Sequence, residues 1–218
     1  MSWTAVLLAG SRPGRDPFPE QFGTDLKALI PIAGEPMVRR PVSALLESKD
    51  VARILVLSQW PERIAKVLPL DPRIEVMHSK GTIAETIEEL MLKGPAKFPM
   101  LVTTADHALL DQAMIFEFIE EAKGADLAIG VVERRSLLAR LPQTKRTWLS
   151  FRGGAYSGAN LFALGSIKAL AAVEQWRSVE QDRKKGWRVP ATSGAGLSQL
   201  SASPDIFSGS INCFIEVL

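Results

Sequence analysis

Short apolar runs alternate with helical patterns along most of this chain, and this order constrains the fold more than any other feature. Such an alternation builds parallel strands joined by crossover helices. It therefore predicts an α/β fold, with a mostly parallel central sheet and helices on both faces. Because 218 residues with 46% hydrophobic side chains can bury one full core, we expect a single domain over residues 1–218.

The apolar runs and the helix signals place the individual elements. Strands are predicted over residues 3–9, 52–58, 99–105 and 126–132, with further extended chain at 147–151 and 160–164. Pro36 suits the first turn of a helix. Thr82 and Glu85 have the spacing of a capping box, and Asp111 is a suitable N-cap for a helix through Lys123. The side chains that should face the sheet are Val38, Pro41, Val42, Leu45 and Leu46 in the first helix and Ile83, Ile87, Leu90 and Met91 in the second.

Composition excludes several classes of protein. Acidic and basic side chains nearly cancel, leaving a formal charge of +2, so an extended surface for nucleic acid is not expected. Cys213 is the only cysteine and the chain has two histidines, which excludes an intrachain disulfide and disfavours a Cys/His zinc site. No basic segment precedes the short apolar run at the N-terminus, so we expect neither a signal peptide nor a membrane span, as in a cytoplasmic protein.

A loop rich in Gly, Pro, Arg and Asp follows the first predicted strand and continues to about Ala28, and loops of this length usually carry a function. Its glycines let backbone N–H groups approach phosphate oxygens, and its basic side chains supply the opposing charge, as in a triphosphate cradle. A solvated connection is the alternative. The Walker and dinucleotide-binding glycine spacings are both missing, so the sequence indicates neither a P-loop enzyme nor a nicotinamide enzyme. The residues concerned are Leu8, Ala9, Gly10, Ser11, Arg12, Gly14, Arg15 and Lys27.

The predicted strand at 99–105 leads directly into the carboxylate of Asp106, two residues after Thr104. Open α/β sheets bind ligands beyond the carboxyl ends of their strands, where such an aspartate can hold a hard cation that bridges phosphates. Asp106 is therefore the candidate metal ligand. Capping of the next turn is the alternative, although Asp111 already fits that role. His107 could contact an acceptor or act as a base, but a packing or hydrogen-bonding role is favoured.

A glycine-rich segment at 153–160 lies between basic residues and a strand-like run. Small residues let a ligand approach the backbone, while Ser157 and Asn160 beside Gly158 offer short polar groups for hydroxyls or a carboxylate. A small, anionic, hydroxylated acceptor is therefore expected here, with a hairpin that binds no ligand as the alternative. The basic residues that could clamp such an anion are Arg134, Arg135, Lys145, Arg146 and Arg152, with Arg146 as the leading candidate.

Five segments in a fixed order resemble the MobA-like nucleotidyltransferases, which include sugar-phosphate, alditol-phosphate and molybdopterin nucleotidyltransferases. They are LLAGSRPGRD with Lys27, PIAGEPM at 31–37, SKGTIAET at 79–86, LVTTADHALL at 101–110 and GGAYSGANLF at 153–162. Together they cover most of residues 3–164. The resemblance implies a Rossmann-like (GT-A-like) sheet with a small acceptor-binding β lobe. About residues 1–125 would then bind the nucleotide and about residues 126–218 the acceptor.

The same resemblance implies roles for individual residues. The first loop with Lys27 would bind the triphosphate, the 79–86 segment would lie near the base, and Asp106 would bind Mg²⁺. Catalysis would rest on Lys27, Asp106, Arg12 and Arg15. The residues expected to contact the nucleotide are Leu8, Ala9, Gly10, Ser11, Arg12, Lys27, Ser79, Gly81, Thr82 and Thr104, and those expected to contact the acceptor are Arg146, Ser157, Gly158 and Asn160.

The predicted activity is transfer of a nucleoside monophosphate from an NTP to a small phosphorylated acceptor, with release of pyrophosphate. The resemblance favours CTP, for activation of a lipid or glycan head group, and guanylyl transfer to molybdopterin is the second candidate. Attack on an α-phosphorus needs positioned charge more than a protein nucleophile, since the acceptor phosphate can itself attack. A metal-dependent glycosyltransferase would usually carry Asp-x-Asp at the strand end, where this chain has one acid. A catalytically silent nucleotide-binding module is favoured only by the tail, whose one aspartate is Asp205.

Overall fold

The computed structural model of the chain describes residues 2–11, 16–79, 81–151, 154–184, 201–202 and 212–216. The strands are β1 (Trp3–Leu8), β2 (Pro31–Ile32), β3 (Glu35–Pro36), β4 (Val51–Ser58), β5 (Ile74–His78), β6 (Met100–Thr104), β7 (Leu127–Glu133), β8 (Leu149–Phe151), β9 (Gly154–Leu164), β10 (Ser201–Ala202) and β11 (Asn212–Glu216). The α-helices are α1 (Pro17–Glu20), α2 (Arg39–Glu47), α3 (Pro61–Ala65), α4 (Ile83–Lys93), α5 (Gln112–Glu121), α6 (Arg134–Arg140) and α7 (Leu170–Lys184). Among the described residues, none of these helices combines the length and the apolar character needed to cross a membrane.

Nine of the strands form one sheet in the order β10-β11-β7-β9-β6-β1-β4-β5, with β8 paired to β9, and β2 pairs with β3 in a separate antiparallel sheet. The neighbours β6, β1, β4 and β5 are parallel. β9 runs antiparallel between β6 and β7, and β11 is antiparallel to β7. The sheet is therefore mixed, with its parallel strands in the first half of the chain and antiparallel pairing in the second.

Helices cover both faces of this sheet. On one face, Leu45 of α2, Ile64 of α3 and Phe118 of α5 belong to a single buried apolar cluster. On the other face, a second buried cluster contains Ile87 of α4 and Val173 of α7. Because apolar side chains are buried on both faces, β1 and β4 have nearly continuous apolar sequences. The predicted α/β class, with helices on both faces of the sheet, is confirmed.

The helix signals in the sequence are largely confirmed. Thr82 and Glu85 form the predicted capping box, in which the Thr82 hydroxyl accepts from Glu85 N and the Glu85 carboxylate accepts from Thr82 N. Asp111 caps α5 as predicted. Ile87 is buried as predicted, but Ile83 at the first position of α4 is 38% exposed, because the helix enters there from a surface loop.

The predicted position of Pro36 is wrong. Pro36 ends β3 instead of opening a helix, and α2 begins only at Arg39. The physical reason is tertiary, because Val38 N donates to Ala28 O at 2.9 Å and holds this stretch against the earlier turn. Pro41 then occupies the first turn of α2, where its missing N–H costs no helical hydrogen bond.

The loops after β1, β4, β5 and β6 leave the sheet at the same edge, because these strands are parallel. Backbone hydrogen bonds continue beyond the strand ends, since Ser79 N donates to Ser58 O and Ala105 N donates to Leu8 O, both at 2.9 Å. The predicted nucleotide segments therefore begin side by side. Ligand sites of open α/β sheets form at this carboxyl edge.

The cap of α5 gives a test of local stability. Asp111 Oδ1 accepts from Met114 N at 2.8 Å. Asp111→Ala removes that acceptor and should lower the free energy of unfolding by about 1 kcal/mol, measured by urea denaturation. Asp111→Ser retains a side-chain acceptor and should stay within about 0.5 kcal/mol of the wild type. An equal loss in both variants would show that the cap is not the cause.

Candidate functional site

Lys27 and Asp106 meet at the carboxyl edge of the parallel strands. Asp106 lies in the turn after β6, and Lys27 opens a 3-10 turn at the end of the long first loop. Lys27 Nζ is 2.5 Å from Asp106 Oδ2, although 79 positions separate the two residues. Leu26 and Ala28 on either side of the lysine are buried, which anchors the turn while the Lys27 side chain stays 42% exposed. The predicted triphosphate lysine and the predicted metal carboxylate therefore lie together.

The Asp106 carboxylate is surrounded by hydrogen-bond donors. Thr104 Oγ1 donates to Oδ1 at 2.5 Å, and Asn160 Nδ2 lies 3.4 Å from the same oxygen. Burial by itself would raise the pKa of Asp106, but the hydrogen bonds from Lys27 and Thr104 outweigh burial and hold the pKa below its ordinary value. Asp106 is thus ionised at neutral pH. Because its pKa is lower in the folded chain, this contact stabilises the fold above the unfolded pKa, and the effect is lost as pH falls through the folded value.

The first loop is braced by a residue that the sequence reasoning missed. Ser11 N donates to Gln59 Oε1 at 3.0 Å. A Cβ at Gly10 would lie 2.8 Å from the same oxygen, so the Gln59 side chain in this position packs against a residue without a Cβ. Gln59 directly follows β4, and the rule that sites form beyond strand ends could have identified it. Arg12 and Arg15, which the sequence assigns to the same loop, lie outside the described residues.

The segment from Ser79 to Thr82 follows β5 at the same edge. Ser79 is buried, and its Oγ lies 3.0 Å from the hydroxyl of Thr86, which donates to Thr82 O at 2.8 Å. Gly81 has a φ of 95°, in the left-handed region that favours glycine. These hydroxyl contacts and the capping box of α4 therefore tie Ser79 and Thr82 of the predicted base segment to the start of the helix.

β9 carries three of the four predicted acceptor residues, and Arg146 lies against it. Arg146 Nη1 donates to Gly158 O at 3.2 Å. A Cβ placed on Gly158 would meet no atom within 4 Å, so the space above this exposed backbone is open. Asn160 is also exposed, whereas Ser157 is 7% exposed and lies inside the fold.

The other basic candidates are placed differently. Arg134 and Arg135 belong to α6, which directly follows β7. The Arg134 guanidinium carbon lies 5.8 Å from the ring centroid of Trp148, a cation–π distance. Lys145 is exposed, and Arg152 lies outside the described residues. Arg146 is therefore the predicted clamp residue that the structure places against β9.

His107 follows Asp106 and lies beside the same cluster. Its Nδ1 is 3.3 Å from Thr103 Oγ1. Burial lowers the pKa of His107, Asp106 partly opposes that shift, and Arg146 adds to it. The imidazole is therefore neutral at pH 7, consistent with the predicted hydrogen-bonding role.

The donor set at Asp106 fits one kind of metal site. Within the part of the chain that the structure describes, no group of three or more His, Cys, Asp or Glu side chains is placed to hold a metal ion. Mg²⁺ is commonly held by one or two carboxylates together with substrate phosphates and water, without an all-protein cage. Asp106 therefore suits Mg²⁺ shared with a bound triphosphate, and Asp205, the late acid of the sequence, lies outside the described residues.

Comparison with known proteins identifies the class. Residues 5–189 match the MobA-like NTP transferase domain. Since this match covers most of the chain, the protein belongs to the family of MobA-like NTP transferase domains. The resemblance of the five sequence segments is thereby confirmed, and the protein is a member of a nucleotidyltransferase family.

Individual proteins that resemble this chain include cytidylyltransferases. The chain is 27% identical over 183 residues to 2-C-methyl-D-erythritol 4-phosphate cytidylyltransferase of Nocardia farcinica (strain IFM 10152), with 82% of this chain and 74% of the relative covered. It matches the structure of a hypothetical transferase from Thermus thermophilus with a TM-score of 0.68 and 28% identity, over 85% of this chain and 75% of the other. The 4-diphosphocytidyl-2C-methyl-D-erythritol synthase of Anaerococcus prevotii DSM 20548 matches with a TM-score of 0.59 over 87% of this chain and 78% of that one. At 12% identity this last likeness shows the fold alone.

Proposed function

We propose that this protein transfers a nucleoside monophosphate from an NTP to a small phosphorylated acceptor and releases pyrophosphate. The observation that carries the proposal is the contact between Lys27 Nζ and Asp106 Oδ2. It joins a cation suited to phosphate and a carboxylate suited to Mg²⁺ at the edge where the predicted nucleotide segments begin. Membership of a nucleotidyltransferase family supports the same reaction class.

The reaction needs charge at defined positions. An oxygen of the acceptor phosphate attacks the α-phosphorus, a new P–O bond forms, and the bond to the β-phosphate oxygen breaks so that its electron pair leaves with pyrophosphate. Bound Mg²⁺ would neutralise phosphate charge, held by Asp106 together with the triphosphate. Lys27 would bind the triphosphate and stabilise the charge that develops on the leaving group. No covalent intermediate on the protein is required.

CTP is the proposed nucleotide. The support is the 27% identity to a cytidylyltransferase over most of both chains. The segment 79–86 is the proposed base site, since hydrogen bonds among Ser79, Thr82 and Thr86 hold its described polar groups in place. A rigid arrangement of polar groups discriminates between bases by leaving buried donors or acceptors unpaired when the wrong base binds.

A direct test is to incubate the protein with each of the four NTPs, Mg²⁺ and a panel of phosphorylated alditols, sugars and acids, and to measure pyrophosphate. CTP should support the fastest acceptor-dependent release. Fastest release with GTP and molybdopterin would replace the proposed substrates but keep the reaction class. Absence of acceptor-dependent pyrophosphate with all four nucleotides would contradict the proposal.

Arg146 is the proposed anion clamp of the acceptor. Its guanidinium contacts Gly158 O beside the open space over β9, and it is close enough to influence the pKa of His107. Arg146→Ala should raise the KM for the acceptor about tenfold, because a charged hydrogen bond to an anion is lost. The Kd for the NTP should change less than about twofold.

Lys145→Ala is the matched control for this prediction, because it removes one positive charge from the neighbouring exposed position. Steady-state kinetics give the KM, and calorimetry with CTP gives the Kd. An equal rise of the acceptor KM in the two variants would show that Arg146 acts only through general electrostatic attraction. Loss of CTP binding in Arg146→Ala would contradict the division into two pockets.

A further inference from the structure

Asn160 has an unusual backbone in the middle of β9. Its φ is 54°, in the left-handed region that side chains other than glycine seldom adopt. The register between β7 and β9 shifts at this point, since Ile129 pairs with Phe162 while Val131 pairs with Gly158. The strand therefore carries a bulge at Asn160, and bulges next to functional sites commonly redirect a side chain.

The amide of Asn160 is directed at the candidate metal ligand. Its Nδ2 lies 3.4 Å from Asp106 Oδ1. An ionised carboxylate only accepts, so the amide nitrogen must face it. The contact is long for a hydrogen bond, and such contacts often tighten when a site binds its substrates.

A buried hydroxyl holds the bulge in this shape. Thr103 is fully buried, and its Oγ1 donates to Asn160 O at 2.9 Å. The one hydroxyl proton of Thr103 is thereby used. His107 Nδ1, at 3.3 Å from the same oxygen, must therefore be the donor of that second contact. The donors run in one direction, from His107 to Thr103 and on to the Asn160 carbonyl.

We propose that Thr103 and His107 are positioning residues that orient the Asp106 carboxylate through Asn160, an inference that rests on the proposed function. Donors from Thr104 and Asn160 occupy Oδ1 of Asp106, and Oδ2 faces the cation, which in this structure is Lys27 Nζ. Thr103 and His107 act without touching substrate. Oδ2 is thereby the Asp106 oxygen that is left for a cation.

The hydrogen bonds from His107 to Thr103 and from Thr103 to the Asn160 carbonyl are called the relay below. The tautomer of His107 tests this relay without any measurement of activity. The chain has two histidines, and His78 on β5 is exposed, so its ring serves as an internal reference. Nitrogen NMR near pH 8, above the ordinary histidine pKa of about 6.5, should show the proton of His107 on Nδ1. Thr103→Val removes the acceptor and should move the proton towards Nε2, while Thr103→Ser should keep it on Nδ1. A proton on Nε2 of His107 in the wild type would overturn the relay.

The magnesium dependence of turnover tests the positioning role. Thr103→Val leaves the Asn160 carbonyl without its donor and should raise the Mg²⁺ concentration needed for half-maximal turnover and lower kcat, each about tenfold. The KM for the acceptor should stay within about twofold, and Thr103→Ser should restore most of kcat. The control is Thr4→Val, a buried threonine at the opposite end of neighbouring β1, which should leave the magnesium dependence unchanged.

The outcomes separate this inference from the proposed function. Unchanged magnesium dependence in Thr103→Val, with an active wild type, would overturn the positioning role. An equal change in Thr4→Val would overturn it as well, since general loss of packing would then explain both variants. Lack of nucleotide binding by the wild type, with the proton of His107 on Nδ1, would refute the proposed function while supporting the relay.

Discussion

Asp106→Asn is expected to lower magnesium-dependent turnover by a factor of about 100 or more, because a neutral amide replaces the charge that would hold the cation. Asparagine has nearly the same shape, so the hydrogen-bonded turn after β6 should persist. Steady-state pyrophosphate release at saturating nucleotide and acceptor measures the loss. Thermal denaturation by circular dichroism should show a midpoint only slightly below that of the wild type, because the lost ion pair with Lys27 is partly exposed.

The matched control is Asp111→Asn, the same chemical change five positions later on the same loop. Asparagine caps helices about as well as aspartate, so both stability and turnover should be retained. Turnover of Asp106→Asn near the wild-type rate would remove Asp106 from the proposed site. Equal losses in the two variants would point to the charge of the loop as a whole instead of one ligand.

Lys27→Ala is expected to weaken CTP binding about tenfold and to lower kcat about a hundredfold. The two effects should appear together, because one ammonium would bind the ground-state triphosphate and also stabilise the departing pyrophosphate. The contact with Asp106 Oδ2 adds a second consequence. Because the ion pair with Lys27 helps to lower the pKa of Asp106, that pKa should rise in the Lys27→Ala variant.

Calorimetry with CTP and steady-state kinetics check both parts of this prediction. Lys97→Ala is the control, because Lys97 is an exposed lysine just before β6 begins. It therefore lies at the amino ends of the parallel strands, opposite the candidate site. The Lys97→Ala variant should bind CTP and turn over like the wild type. A Lys27→Ala variant in which only the acceptor KM changed would place Lys27 in the other pocket.

Part of the candidate site follows from local sequence alone. The apolar run of β6 and the abrupt change of character at Asp106 locate a carboxylate at a strand end, because the burial of a parallel strand is visible in its composition. The capping box at Thr82 and Glu85 fixes the start of α4 in the same way, since its hydrogen bonds span only three residues.

Other parts depend on contacts between distant segments. Lys27 reaches Asp106 because burial of Leu26 and Ala28 sets the path of the loop. Burial of this kind gives the loop sequence no periodic apolar pattern. The left-handed bulge at Asn160 depends on a hydroxyl from the neighbouring strand, Thr103, 57 positions earlier. Local propensity carries no record of either contact. The family resemblance placed Lys27 and Asp106 in one site, whereas the bulge at Asn160 was not predicted.

Missed elements have the same explanation. The helices α3 and α6 span five and seven residues, too short for an apolar face to repeat in the sequence. β5 is a strand of five residues at the edge of the sheet, with none of its side chains fully buried, and its sequence Ile74–His78 lacks a continuous apolar run. The long apolar strands and the capped or strongly amphipathic helices were predicted, whereas α3, α6 and β5 were not.

The fate of labelled phosphates tests the central claim most directly. The protein would be incubated with Mg²⁺, CTP and an acceptor that supports pyrophosphate release. The CTP would be labelled at the α-phosphate in one reaction and at the γ-phosphate in another. Nucleotidyl transfer predicts that the α label enters a new product containing the acceptor and that the γ label appears in pyrophosphate in equal amount. Appearance of the γ label as inorganic phosphate, with the α label remaining in CDP or CMP, would contradict transfer and show hydrolysis.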